Sequence, residues 1–242
     1  MNFSLIYMSE ITNYFEHFFK IVFGPEKGAG SYPRYLYWLN GIKFSLEVTL
    51  LAALIGIAIG ICIAMCKLSK YKIVRALASI YTDLIRGTPV LIQILFIYLV
   101  VFSASDLPKL VIGAIAFGIN SGAYVAEIIR AGIQGLDRGQ MEAARSLGMP
   151  YGMAMRHIII PQAIRNILPT LVNEFIVLLK ETSVIGYIAG NDILKATNTI
   201  ISQTYSPVEP LITSAVIYLI LTSIFTFIMR KIERRLRAGD IR

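Results

Sequence analysis

Charge is scarce in this chain. Of its 242 residues only 16% are Asp, Glu, Lys or Arg, where a soluble globular domain carries roughly 25%. Long apolar runs fill the space: 56% of residues are hydrophobic and mean hydropathy is +0.66. That composition belongs to a polytopic membrane protein. Chemistry-bearing residues are also few. The two histidines, His17 and His157, are far apart in sequence, and neither is assigned a catalytic role. The two cysteines, Cys62 and Cys66, sit four apart in an apolar run with no neighbouring metal ligands. They read as small apolar side chains facing lipid or another helix. No GxxxxGK[ST] occurs, which excludes ATP binding through a P-loop on this chain. HExxH, GxSxG and CxxC are missing as well, so no catalytic residue, metal site or bound cofactor is expected. Residues 1–24 lack the basic start and small-residue cleavage site of a signal peptide.

The apolar runs read as five spans, at about 38–65, 73–102, 107–129, 164–179 and 211–229. Residues 1–24 mix aromatic and aliphatic side chains with Glu10, Glu16 and Lys20, a pattern for a helix lying in the interface. GPEKGAGSYP, from Gly24 to Pro33, is a loop by its Gly and Pro content. Tyr32, Tyr35, Tyr37 and Trp38 form an aromatic belt before the first span. Gly56 and Gly60 within it let another helix approach closely. Residues from 180 to about Pro207 read as a loop.

The net charge of +8 points to topology rather than to nucleic acid. Fifteen Lys and Arg lie in the 67–75 turn, the 130–165 stretch and the C-terminal tail. The opposite loops hold only Lys109 and Lys195, and the N-terminal region adds Lys20, Lys27, Arg34 and Lys43. That excess places the first set in the cytoplasm. Five spans then leave the N-terminus outside and the C-terminus in the cytoplasm.

Polar side chains inside spans are costly, about 2.5–3.5 kcal/mol for an ionised group on insertion scales, and are functional candidates. At about 100° per residue, Asn166, Thr170, Asn173, Glu174, Lys180 and Glu181 share an arc of about 120° on the fourth span. Asn120, Tyr124 and Glu127 repeat the pattern on the third, and Asp83, Arg86 and Gln93 cluster on the second. Three polar stripes predict a shared polar cavity. Alternatively they hold helix to helix: Glu127 can pair with Arg130, and Asp83 with Arg86 as an i, i+3 ion pair.

One stretch is too polar to span. EAARSLGMPYGMAMRHIIIP, from Glu142 to Pro161, opens on small and charged residues, with Gly148 and Pro150 placed to stop a helix. Glu142, Ala143, Ala144, Gly148, Ile158 and Pro161 together resemble the EAA loop of permease subunits of ABC importers. Ile160 departs mildly, since the family usually has Leu there. RGTPVLIQ at Arg86–Gln93, SGAYVAEIIRAGI at Ser121–Ile133, GQMEAARSLGM at Gly139–Met149 and NEFIVLLKETSVI at Asn173–Ile185 resemble its polar amino acid branch. The match covers about residues 38–235.

The residues and the resemblance together give an all-α membrane protein with five transmembrane helices, a transmembrane domain (31–235) and a cytoplasmic tail (236–242). The N-terminal interfacial segment (1–30) lies outside the resemblance and is read from its residues alone. Within the transmembrane domain, 139–161 would be the coupling loop that docks on a separate ATPase dimer holding ATP and Mg. The resemblance also implies a second permease subunit, identical or paralogous, an extracytoplasmic solute-binding protein, alternating access, and a prokaryotic inner or plasma membrane. For an amino acid substrate, Glu174 is expected to accept the ammonium, with Asn173, Asn120, Tyr124 and Gln93 as candidate partners. Lys180 and Glu181 would serve the outer gate, and Glu127, Asp83 and Arg86 a gate or structural role. The other readings are a peptide or opine-like amine as substrate, an ATPase-independent channel, or a scaffold protein.

Overall fold

The computed structural model describes residues 3–25 and 32–237. Residues 26–31, most of the expected Gly24–Pro33 loop, and the end of the tail from 238 lie outside them. The described residues are predominantly helical, in the order α1 (Phe3–Phe23), α2 (Tyr35–Lys67), α3 (Lys72–Arg86), α4 (Val90–Phe96) and α5 (Lys109–Gln134). Then follow α6 (Arg138–Ser146), α7 (Tyr151–Ala154), α8 (Ile160–Glu181), α9 (Ile193–Thr204) and α10 (Val208–Arg237).

Helix α5 is the axis of the fold. Twelve of its residues are buried, from Ile112 to Ala126, and α2 lies along it. The two helices interlock through glycines on both sides. A Cβ at Gly60 would come within 2.4 Å of Val125, and one at Gly118 or Gly122 would meet Ile55 at 2.6 Å or Ile59 at 2.7 Å. Gly56 stands against Ser121 in the same row. Such small-residue contact lets backbones approach where lipid supplies no hydrophobic drive between helices. A core of Val48, Ala52, Ile94, Phe117, Leu178 and Ile185 joins α2, α4, α5, α8 and the turn after it.

Among the described residues, three helices are long and apolar enough to cross a membrane: Tyr35–Lys67, Lys109–Gln134 and Val208–Lys231. The expected span at 73–102 is instead two pieces, Lys72–Arg86 and Val90–Val101, bent by 104°. Counted as one broken span, they make a fourth. The break falls at Gly87-Thr88-Pro89, because Pro89 has no N–H to continue α3 and holds its own backbone extended. Freed carbonyls at membrane depth need partners. Thr88 Oγ1 donates to Leu84 O at 2.9 Å, and Gln93 Nε2 reaches Ile85 O at 2.7 Å and Thr88 O at 3.1 Å. α8 has the length to cross at 22 residues, but it is less apolar than the others.

A further stretch differs from the sequence reading. The loop expected from 180 to 207 is ordered: a 3-10 turn (Thr182–Ile188) runs into α9. Asp192 caps α9 by accepting from Leu194 N at 3.1 Å and Lys195 N at 3.0 Å. Burial nevertheless pushes its carboxyl up to about 6. The N-terminal segment is a helix whose end docks on this layer. Val22, Trp38, Ile193 and Ile200 pack together, and the buried Arg34 donates to Ile21 O at 3.0 Å and to Gln203 Oε1 at 3.2 Å.

Candidate functional site

Two sets of residues carry the functional reading, at opposite reaches of α8. The first is α6. Asp137 caps it, accepting from Gly139 N at 2.8 Å. Its other end closes as a Schellman turn: Met149 N donates to Ala144 O at 3.1 Å and Gly148 N to Arg145 O at 3.0 Å. Gly148 makes this possible at φ 82°, a left-handed backbone that disfavours a side chain. Ala144 faces inward at 1% exposure, while Glu142 and Ala143 face out. Gln162 Nε2 donates to Gln140 Oε1 at 3.3 Å and ties α6 to the first turn of α8. Sequence reasoning missed the tip beside Gly148, where Leu147 is 84% exposed and Tyr151 and Met153 are exposed as well. Isolated large apolar residues among turn formers were the signal for it.

The second half of the EAA stretch is not a loop. α7, a π-helical turn at Met155–Ile159 and α8 follow without a break. Pro161 was expected to close the insert; instead it sits in the first turn of α8. The wide π turn ahead of it gives its ring room where a regular helix would clash. Ile158 lies in that turn, half-buried.

The polar stripes do come together around α5. Ser121 Oγ donates to Glu174 Oε1 at 3.2 Å, joining α5 to α8. Asn120 Nδ2 donates to Gln93 Oε1 at 2.9 Å, joining α5 to α4. Gln93 is thus engaged at both ends of its amide, by Asn120 and by the break after α3. The Arg86 guanidinium stands 5.4 Å from the centre of the Tyr124 ring, a cation–π distance. The expected Asp83–Arg86 ion pair does not form; Asp83 is exposed and its carbonyl caps α3 by accepting from Gly87 N. Glu127 does pair with Arg130 at 2.8 Å and also binds Lys67, which reaches Thr82 Oγ1 at 2.7 Å. That node fastens α2, α3 and α5 together. Asn166, Thr170 and Asn173 form an exposed polar face on α8, with Lys180 exposed and Glu181 half-buried at its far end.

Residues 56–238 match the model of the binding-protein-dependent transport system inner membrane component. The chain belongs to that permease family. Curated relatives of this permease agree in length as well as in sequence. The arginine transport system permease protein of Bacillus subtilis is 37% identical over 216 residues, 86% of this chain and 96% of that one. A putative glutamine transport system permease of Rickettsia bellii is 40% identical over 209 residues, 84% and 94% of the two chains. Among solved structures, an amino acid ABC transporter crystallised with histidines shares 47% identity, with a TM-score of 0.78 over 83% of this chain and 94% of that one. The inward-facing methionine transporter MetNI has the same fold at 16% identity, TM-score 0.72, over 83% and 96% of the two chains. A transporter permease subunit of this family is not itself catalytic.

Proposed function

We propose that this permease is the membrane-spanning subunit of an ATP-driven importer of polar amino acids, coupled through α6 to a separate ATPase. The observation that carries the reading is the α6 tip: a short helix capped at both ends, with Glu142, Ala143 and Leu147 turned away from the rest of the chain. An ordered surface of that kind suits docking into a cleft of a soluble partner. ATP and Mg then belong to that partner, and the basic residues of the 67–75, 130–165 and tail segments put α6 in the cytoplasm. The relatives named as an arginine permease and a putative glutamine permease support an amino acid as the cargo. The exposed polar face of α8 suits a second permease copy or paralogue across a shared path, with substrate delivered by an external binding protein.

In this reading Glu174 receives the substrate ammonium, with Asn173 and Tyr124 beside it, and Asn120 and Gln93 hold the wall behind. Lys180 and Glu181 stand at the outer end of the path. The test is reconstitution in liposomes with the ATPase and the binding protein. Hydrolysis stimulated by loaded binding protein, and lost when Glu142 or Gly148 is changed, is the expected outcome. Flux through the chain without an ATPase would overturn it in favour of a channel. Ligand assays on the binding protein separate a free amino acid from a peptide or opine-like amine.

A further inference from the structure

A groove of about 540 Å³ runs between α2, α5 and α8, and every side chain lining it is apolar. Its base is Ala64 and Ala163, both almost wholly buried. On α8 it extends from Ile160 to Leu171 and on α2 from Ile57 to Leu68, in each case about 16 Å of helix. That is close to one leaflet, half of a hydrocarbon core about 30 Å thick. Beyond Leu171 the α8 surface is met by α10, where Phe175 packs against Phe225 at 5.1 Å. The groove is therefore too short for a partner's spanning helix. A second copy of this chain does not suit it either. The groove face of α8 is centred about 150° from Asn173, so two copies joined groove to groove would turn Asn166, Thr170 and Asn173 toward lipid.

Charge at one end decides what does fit. Leu68 and Met155 line the groove at its α6 side. Lys70 follows two residues after Leu68, and Arg156 directly follows Met155, one turn before the lining residue Ile160. Both are exposed, and neither takes part in an ion pair among the described residues. The neighbouring cations Lys67 and Arg130 are already committed to Glu127. We propose that the groove is a lipid site: it holds one acyl chain of an anionic phospholipid in the α6-side leaflet, with Lys70 and Arg156 binding the headgroup phosphate. A leaflet-deep apolar slot ending at unpaired basic side chains is complementary to that molecule at both ends.

The full-length chain, purified from membranes and exchanged into phosphatidylglycerol or phosphatidylcholine, tests this by native mass spectrometry. One phosphatidylglycerol per copy is expected to survive washing that strips phosphatidylcholine. The double variant Lys70→Ala, Arg156→Ala alters only exposed side chains and is expected to lower that retention about tenfold. Ala163→Phe fills the slot and is expected to displace the lipid with both cations intact. Equal retention of the two lipids, retention of neither, or full retention by the double variant would overturn the proposal. So would a cross-link from the groove to a protein chain.

Discussion

Glycine does opposite work in two regions of this molecule. Along the α2–α5 seam, Gly60, Gly118 and Gly122 are needed for space, since any Cβ there would strike the facing helix at 2.7 Å or less. At the α6 tip, Gly148 has nothing within 4 Å of where its Cβ would sit and is needed for its φ of 82°. The seam is a place the fold cannot give up. The tip is a place the fold does not use. Residues that fold the chain and residues proposed to meet a partner are therefore separable by experiment.

Substitution in the seam should have the largest effect. Gly60→Leu overpacks it by at least the 1–3 kcal/mol typical of such insertions, roughly, and is expected to abolish folded protein in detergent, read by monodispersity and thermal melting. Gly148→Val comes next. It should leave the melt nearly unchanged apart from about 1–2 kcal/mol of local backbone strain, yet cut binding-protein-stimulated ATP hydrolysis about tenfold or more. Normal stimulation in a folded Gly148→Val importer would remove the tip from coupling. Glu174→Gln probes a third kind of position, neither seam nor tip. Assembly and ATPase docking should persist while transport falls severalfold, and full transport of every amino acid tried would take Glu174 out of the path. The smallest effect is expected for Gln162→Ala, which removes one hydrogen bond to α6 worth about 1 kcal/mol. It should loosen coupling mildly, raising ATP hydrolysis per amino acid transported.

Much of this was legible from residue patterns. The small residues of α2, the capped end of α6 and the polar arc of α8 all follow from local spacing. The break after α3 was not, because apolar residues continue on both sides of Pro89 and only the partners of the freed carbonyls decide whether the helix bends or stops. Gln93 shows the same gap: the polar stripe placed it, but not that its amide mends the break and meets Asn120. Pro161 misled in the other direction, since a proline that signals an end in sequence is accommodated by the π turn before it. α9 was readable and went unread. Its Asp192 cap and the inward spacing of Ile193, Ala196, Thr197 and Ile200 form a regular amphipathic repeat, masked by the low apolar content around it.

The unbroken path from α7 through Met155–Ile159 into α8 has a mechanical consequence. Glu174 lies fourteen residues beyond Ile160, about 21 Å along a rod that runs as one helix through Pro169. Pivoting that rod by one degree about its base carries the carboxylate about 0.4 Å sideways, and ten degrees carries it about 4 Å, farther than its hydrogen bond to Ser121 can stretch. The helix is a lever arm whose short end is gripped beside α6 and whose long end bears the acid.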